Sequence, residues 1–329
     1  MIKKESKFSA YAENEKPISI RTPSSQRNYN FSGNQIVASV VLINYNQGHY
    51  LEKALNSVIN QTYLNIEIIV IDGGSTDNSM EILKKFHGVK WISEPDNSSG
   101  HAFAKGVGLA IGDVVYFLAS SDGFFDLNWI KTSVDLFSNN ENISLVSADV
   151  IGVRQNGTFN GYKWPKGEPV KWENKKLFFN WLFKGMGVTP ITFGIRKDVL
   201  KICAPNLSQM VNPKNPDSVD YFWYLFGNFF NSGYIGIKIS MISSFVRFHT
   251  DRVDDSEYLS RQRNQLHRLI VKRRRQLLSS KLSTNFLSPT GEIVASEKVF
   301  FFEIVSSFLI SKIANMLGRM KIDPFDIHS

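Results

Sequence analysis

The stretch Ile68–Ser79, IIVIDGGSTDNS, limits what this chain can fold into more than any other. Ile68 to Asp72 sets four apolar residues before an acid, the composition of a strand buried on both faces. Gly73 and Gly74 then allow a sharp turn, because glycine reaches positive φ without a steric cost. Ser75, Thr76 and Asp77 are each able to cap a following helix. This grammar leaves Asp72 at the C-terminal end of a parallel strand, over the crevice where open α/β sheets bind ligands. A carboxylate there accepts hydrogen bonds from a nucleotide's ring N–H or ribose hydroxyls. Taken alone, any βα turn has the same form, so the flanking segments decide.

Those segments alternate. Ile36–Ile43 reads as a buried strand ending in the polar loop Asn44–Gly48, and His49–Asn60 has helical spacing. Ile66–Asp72 is the second strand, Asn78–Phe86 a second helix and Val89–Ser93 a short third strand. This β-α-β-α-β order predicts a mostly parallel sheet flanked by helices, with right-handed crossovers. The pattern continues with a helix over His101–Ile111 and a strand over Val114–Ala119, which ends in Ser120-Ser121-Asp122-Gly123. A helix over Leu127–Phe137 and a strand over Ser144–Val150, with Asp149 near its end, follow. The second half is less regular: a strand over Pro190–Ile195, a helix over Asp217–Phe230 and a strand over Tyr234–Phe248. The domain expectation is a polar arm over residues 1–34, an α/β domain over 35–255 divided near 137, and a helical tail over 256–329.

Composition narrows the function classes. The single cysteine, Cys203, rules out a disulfide framework or a cysteine-based metal site. No G-x-G-x-x-G follows the first strand, which argues against a dinucleotide enzyme. The net charge of +8 suits an anionic partner, but no zinc-finger spacing or RNP-like aromatic motif supports nucleic acid. The polar N-terminus has no apolar core of a signal peptide, and no run reaches the roughly 18–20 apolar residues that span a bilayer. The expectation is a cytoplasmic protein. In the tail, Lys272-Arg273-Arg274-Arg275 lies in a long helical stretch over Glu257–Leu278, followed by an apolar helix over Val299–Leu317. That order suits a peripheral grip on the anionic inner face of the cytoplasmic membrane, or else a helical pair packed on the domain or a dimer contact.

The run ASVVLINYNQG at Ala38–Gly48, then LEKALNSVINQTY, IEIIVIDGGSTDNS and WISEPD, resembles the bacterial family 2 glycosyltransferases of GT-A fold. The resemblance covers residues 37–137 and continues more weakly to about 255. It implies transfer of a sugar from a nucleotide-diphosphate sugar, a UDP-sugar above all, to a glycan or lipid-linked acceptor, with inversion and a divalent metal, Mn²⁺ or Mg²⁺. By this resemblance Asn44, Asn46 and Asp72 hold the base and ribose, Asp96 sits where the family closes over the nucleotide, and Lys105 follows on the next helix. Asp122 is the surviving acid of the family's metal motif, in which Ala119 and Ser121 replace carboxylate or amide positions. Asp220, in Val219-Asp220-Tyr221-Phe222-Trp223, is the implied catalytic base. In Phe245–His249, Arg247 offsets phosphate charge and His249 ligates the metal or binds the diphosphate. Thr189, Thr192 and Arg196 match the acceptor side. Trp164, Trp172 and Trp181 serve either as sugar-stacking surfaces or as core. The degenerate metal motif leaves one alternative, a catalytically impaired nucleotide-binding or scaffold protein.

Overall fold

The computed structural model describes residues 35–164, 171, 173–184, 188–206, 220–249, 268, 270–279 and 283–298. The expected N-terminal arm and the apolar helix over Val299–Leu317 lie outside these residues. Four strands build the first half of the sheet: β1 (Ala38–Asn44), β2 (Ile66–Asp72), β3 (Lys90–Ser93) and β4 (Val114–Ala119). They run parallel in the order β3-β2-β1-β4. The helices α1 (Gly48–Ile59), α2 (Ser79–Leu83) and α3 (Ser99–Leu109) connect them. Strand order reverses at β1, where β2 lies on one side and β4 on the other, the position at which open α/β sheets bind ligands outside the strands' C-terminal ends.

Alternation along β1 explains why its run Val40–Ile43 is apolar without interruption. Val41 packs with Ile69, Phe103 and Phe117 on one face, while Val40 and Leu42 pack with Leu51, Leu55 and Trp129 on the other. Both faces are covered, so no polar stripe is tolerated. Gly106 of α3 lies so close that a methyl group there would meet Val41 at 2.2 Å.

Beyond β4 the sheet turns mixed. The strand β5 (Gly123–Phe124) pairs antiparallel with β9 (Gly236–Arg247), and β8 (Phe193–Arg196) joins antiparallel between β4 and β6 (Leu145–Val153). A further strand, β7 (Phe159–Trp164), pairs with β6. Helices α4 (Trp129–Asn139), α5 (Asn174–Lys184), α6 (Lys197–Cys203) and α7 (Tyr221–Ser232) complete the layer. Pro190–Thr192, expected as strand, is a 3₁₀ turn leading into β8, as a proline without an N–H suits. An aromatic cluster on α7 extends the core on the Val41 face of the sheet: Phe222 lies 4.5 Å from Phe117, and Phe230 stacks 5.5 Å from Trp181. Trp181 is thus core and not a sugar platform, whereas Trp172 lies outside the described residues.

The tail is not wholly helical. Residues 270–279 form a helix, but β10 (Ser283–Leu287) and β11 (Ile293–Lys298) form an antiparallel hairpin that sequence patterning missed. The basic run also divides. Arg274 is 3% exposed and donates Nε and Nη2 to the Leu182 carbonyl, near the C-terminus of α5 where cations are favoured, and Arg273 donates to Thr284 Oγ1. No helix among the described residues is long and apolar enough to cross a membrane.

Candidate functional site

Parallel register sets three polar residues in one row at the sheet's C-terminal edge. Asn44 aligns with Asp72, and Asp72 with Ser93. Asp72 is fully buried, and five donors surround its carboxylate. Asn44 Nδ2 (2.7 Å) and Ser75 Oγ (2.5 Å) donate to one oxygen; Ser75 N (2.9 Å), Gly74 N (3.2 Å) and Ser93 Oγ (2.6 Å) donate to the other. Burial pushes the Asp72 carboxyl up, but the bonds from Ser75, Ser93 and Asn44 outweigh it and hold the group below its ordinary value. Asn46 takes a positive φ of 50°, which asparagine tolerates, and joins the neighbouring turn: its N–H donates to Ser75 Oγ and its Oδ1 accepts from Thr76 N. The residues expected to touch base and ribose therefore form an internal knot. For Asp72 to reach a ligand, a ligand group must replace one of these donors.

A methyl group on Gly73 would come within 2.7 Å of Asp96 Oδ2 and 3.2 Å of the Tyr45 ring, so Asp96 and Tyr45 close over that glycine. Tyr45 is 62% exposed, an aromatic ring held open to solvent at a strand end. Sequence reasoning named the loop but not this residue; its signal was an aromatic between Asn44 and Asn46. Burial raises the Asp96 carboxyl, against the pull of Lys105 and His101. Lys105 bonds Glu94 at 2.8 Å and the Pro95 carbonyl at 2.9 Å, so it clamps the 94–96 loop onto α3.

A second group lies where β5 meets the end of β9. The Arg247 N–H donates to Asp122 Oδ1 at 2.9 Å. The Arg247 guanidinium is spent on main-chain carbonyls of Ser121, Arg154 and Gln155, and lies over the rings of Tyr50 and Phe245. At 5% exposure it anchors loops around the site more than it offers a surface. The His249 ring packs 5.6 Å from Tyr50. Among the described residues no group of three His, Cys, Asp or Glu is placed to hold a metal ion. Asp122 and His249 alone make too small a ligand set for Mg²⁺ or Mn²⁺, which take several oxygens and commonly draw them from a substrate's phosphates.

Asp220 caps α7. Its Oδ1 accepts from Phe222 N and Trp223 N, each at 3.0 Å. Burial raises this carboxyl despite those two bonds. The cap stands beside the loop that leads from Glu94 into α3 because Gly100, at the start of α3, lets Tyr221 approach to where a Cβ would lie 2.5 Å away. Of the expected acceptor residues, Thr192 is fully buried, and Arg196 donates to the carbonyls of Phe137 and Ile143, an end-cap for α4.

The comparisons agree with this architecture. The profile of "Glycosyl transferase family 2" matches residues 39–203, about half of the chain. An uncharacterized glycosyltransferase of Nostoc sp. is 35% identical over 120 residues, covering 35% of this chain and 34% of that protein. A chondroitin synthase of Pasteurella multocida is 26% identical over 138 residues, covering 40% of this chain and 14% of that protein. These matches thus span a third or less of the relatives' own length. The crystal structure of S. aureus TarS 1-349 in complex with UDP superposes with a TM-score of 0.52 at 16% identity, covering 73% of this chain and 65% of that one. The same fragment in complex with UDP-GlcNAc gives 0.53, again at 16% identity, with 73% and 66% covered. With the profile covering half of its length, the chain belongs to glycosyl transferase family 2.

Proposed function

We propose that the protein is an inverting glycosyltransferase that moves a sugar from a UDP-sugar to a glycan or lipid-linked acceptor in polysaccharide assembly. The observation that carries this reading is the contact of Gly100 with Tyr221, which sets the Asp220 carboxylate beside the loop that holds Asp96 over Gly73. In this reading Asp96 and Asp220, two carboxyls that burial raises, serve one site. The similarity to a fold solved with UDP and UDP-GlcNAc, and to a chondroitin synthase, supports the donor class and the polysaccharide setting.

In the proposed reaction Tyr45 and Asp96 hold the nucleoside, with Asn44, Asn46 and Lys105 fixing the two loops that carry them. Asp220 takes the proton of the acceptor hydroxyl as that oxygen attacks the anomeric carbon. The bond from that carbon to the diphosphate breaks, and its electron pair leaves on the nucleoside diphosphate. Asp122 and His249 are the side chains that Mn²⁺ or Mg²⁺ would share with diphosphate oxygens, and the ion would offset the leaving charge. Arg247 holds the Asp122 loop in place. A cytoplasmic setting, with contact to the membrane's inner face, fits a lipid-linked acceptor.

The degenerate motif favours one second reading, a nucleotide-binding scaffold without turnover, because Asp122 is its single carboxylate and already accepts from Arg247. Proton NMR of UDP-sugars incubated with the full chain and Mn²⁺ tests both. The proposal expects sugar released or transferred with inverted anomeric configuration, and none with Asp220→Asn. UDP binding without turnover of any UDP-sugar would favour the scaffold.

A further inference from the structure

Residues 268 and 270–279 carry a basic face separate from the crevice. Arg268, Lys272, Arg275 and Ser279 recur at helical spacing, so they lie on one side. All four are exposed. Together with Val271 and Gln276 they line a groove of about 710 Å³, and no carboxylate is among its described lining residues. Among the described residues no hydrogen bond or ion pair engages Arg268, Lys272 or Arg275. Their neighbours Arg273 and Arg274 behave differently: both turn inward and lock the helix to the hairpin and to α5. The fold thus fixes which cations of the run face outward.

We propose that this face docks on an anionic bilayer surface, with Arg268, Lys272 and Arg275 meeting lipid headgroup phosphates. Charge complementarity identifies the partner: three outward cations, with no acid among the described lining residues, suit a plane of phosphates. The cations span about 10 Å along the helix axis, from seven residues at 1.5 Å each. Nucleic acid would present phosphates too, yet the described lining residues include no aromatic ring on which a base could stack. Exposed Leu278, on the same helix, adds apolar surface of the kind interfacial helices bury. The surface would bring the proposed lipid-linked acceptor to the enzyme, but it stands on the tail's own geometry and its test does not need the reaction.

The experiment is co-sedimentation of the full chain with vesicles of equal parts phosphatidylglycerol and phosphatidylcholine, and with phosphatidylcholine alone. Wild type and the triple variant Arg268→Gln/Lys272→Gln/Arg275→Gln are compared at low and high salt. At about 1 kcal/mol per basic residue near such a surface, the variant is expected to lose on the order of 100-fold in partitioning to anionic vesicles. Its UDP affinity should be unchanged, which shows that it folds and separates this proposal from the catalytic one. Wild-type binding should weaken with salt. Equal binding to neutral vesicles, or unchanged binding by the variant, would overturn the proposal. So would retention of inorganic phosphate or duplex DNA through these three residues without vesicle binding.

Discussion

The Arg247 guanidinium sits 4.8 Å from the centre of the Tyr50 ring, joining the last residue of β9 to the first turn of α1. The Tyr50 hydroxyl is buried and has no hydrogen-bond partner among the described residues. Ring and hydroxyl therefore act in opposite directions. Tyr50→Leu removes the cation–π contact and is expected to cost about 1–2 kcal/mol, since the pair is desolvated. Tyr50→Phe keeps the ring and removes an unpaired polar group, so it should be neutral or slightly stabilising. Urea unfolding of the two variants reads the difference directly.

Gly73 offers a way to disturb the crevice without unfolding the sheet. An added methyl would meet Asp96 Oδ2, the end of a side chain that can swing away. Gly73→Ala is thus expected to weaken UDP binding at least several-fold while changing stability by less than about 1 kcal/mol. Calorimetric titration beside thermal melting separates the two effects.

The pH dependence has a definite sign at Asp220. A base of raised pKa ionises late, so the acid limb of kcat/KM should lie above the ordinary carboxyl value of 3.8. Stability runs the other way: the charged form is disfavoured in the fold, so the cost appears as pH rises through the folded-state pKa. Asp220→Asn still supplies a side-chain oxygen to cap α7. It should therefore abolish transfer yet be as stable as wild type, or more so, at neutral pH. A pH–rate profile with matched melting curves checks both halves.

Asp72 is the mirror case. Its carboxyl is held low, so the stability it contributes is present above the unfolded-state pKa and is lost as pH falls through the folded one. Acid unfolding below about pH 4 should be blunted in Asp72→Asn, which is already destabilised at neutral pH by loss of the charge-assisted bonds.

Behind the site, Lys238 pairs with Asp149, both almost fully buried, where β9 bulges against β6. Lys238→Met leaves a buried carboxylate without its cation and should cost about 3–5 kcal/mol. The double variant Lys238→Met/Asp149→Leu should recover much of that loss. A denaturant cycle over the four proteins gives the coupling.

The first half of the fold was legible because its signals are local. Apolar runs of strand length, each closed by polar residues, fixed β1, β2 and β4, and register then brought Asn44, Asp72 and Ser93 together. Asp220 was marked by the resemblance, and the helix expected from Asp217 begins just after it, at Tyr221. The two-residue β5, the strand β7 and the hairpin β10–β11 were not legible, because short or polar strands owe their existence to partners distant in sequence. The Lys272–Arg275 run read as one basic face, and only packing against Leu182 and Thr284 shows that half of it turns inward. Around Asp72, sequence placed the carboxylate correctly at the strand end. It gave no sign that five protein donors would already occupy it, nor that Tyr45 would be the ring left open above.

Calorimetric titration of the full chain with UDP, with and without Mn²⁺, tests the central claim most directly. The account predicts saturable UDP binding, strengthened by Mn²⁺ and weakened by Gly73→Ala, and no Mn²⁺ binding in the absence of nucleotide. No UDP binding under either condition would contradict it.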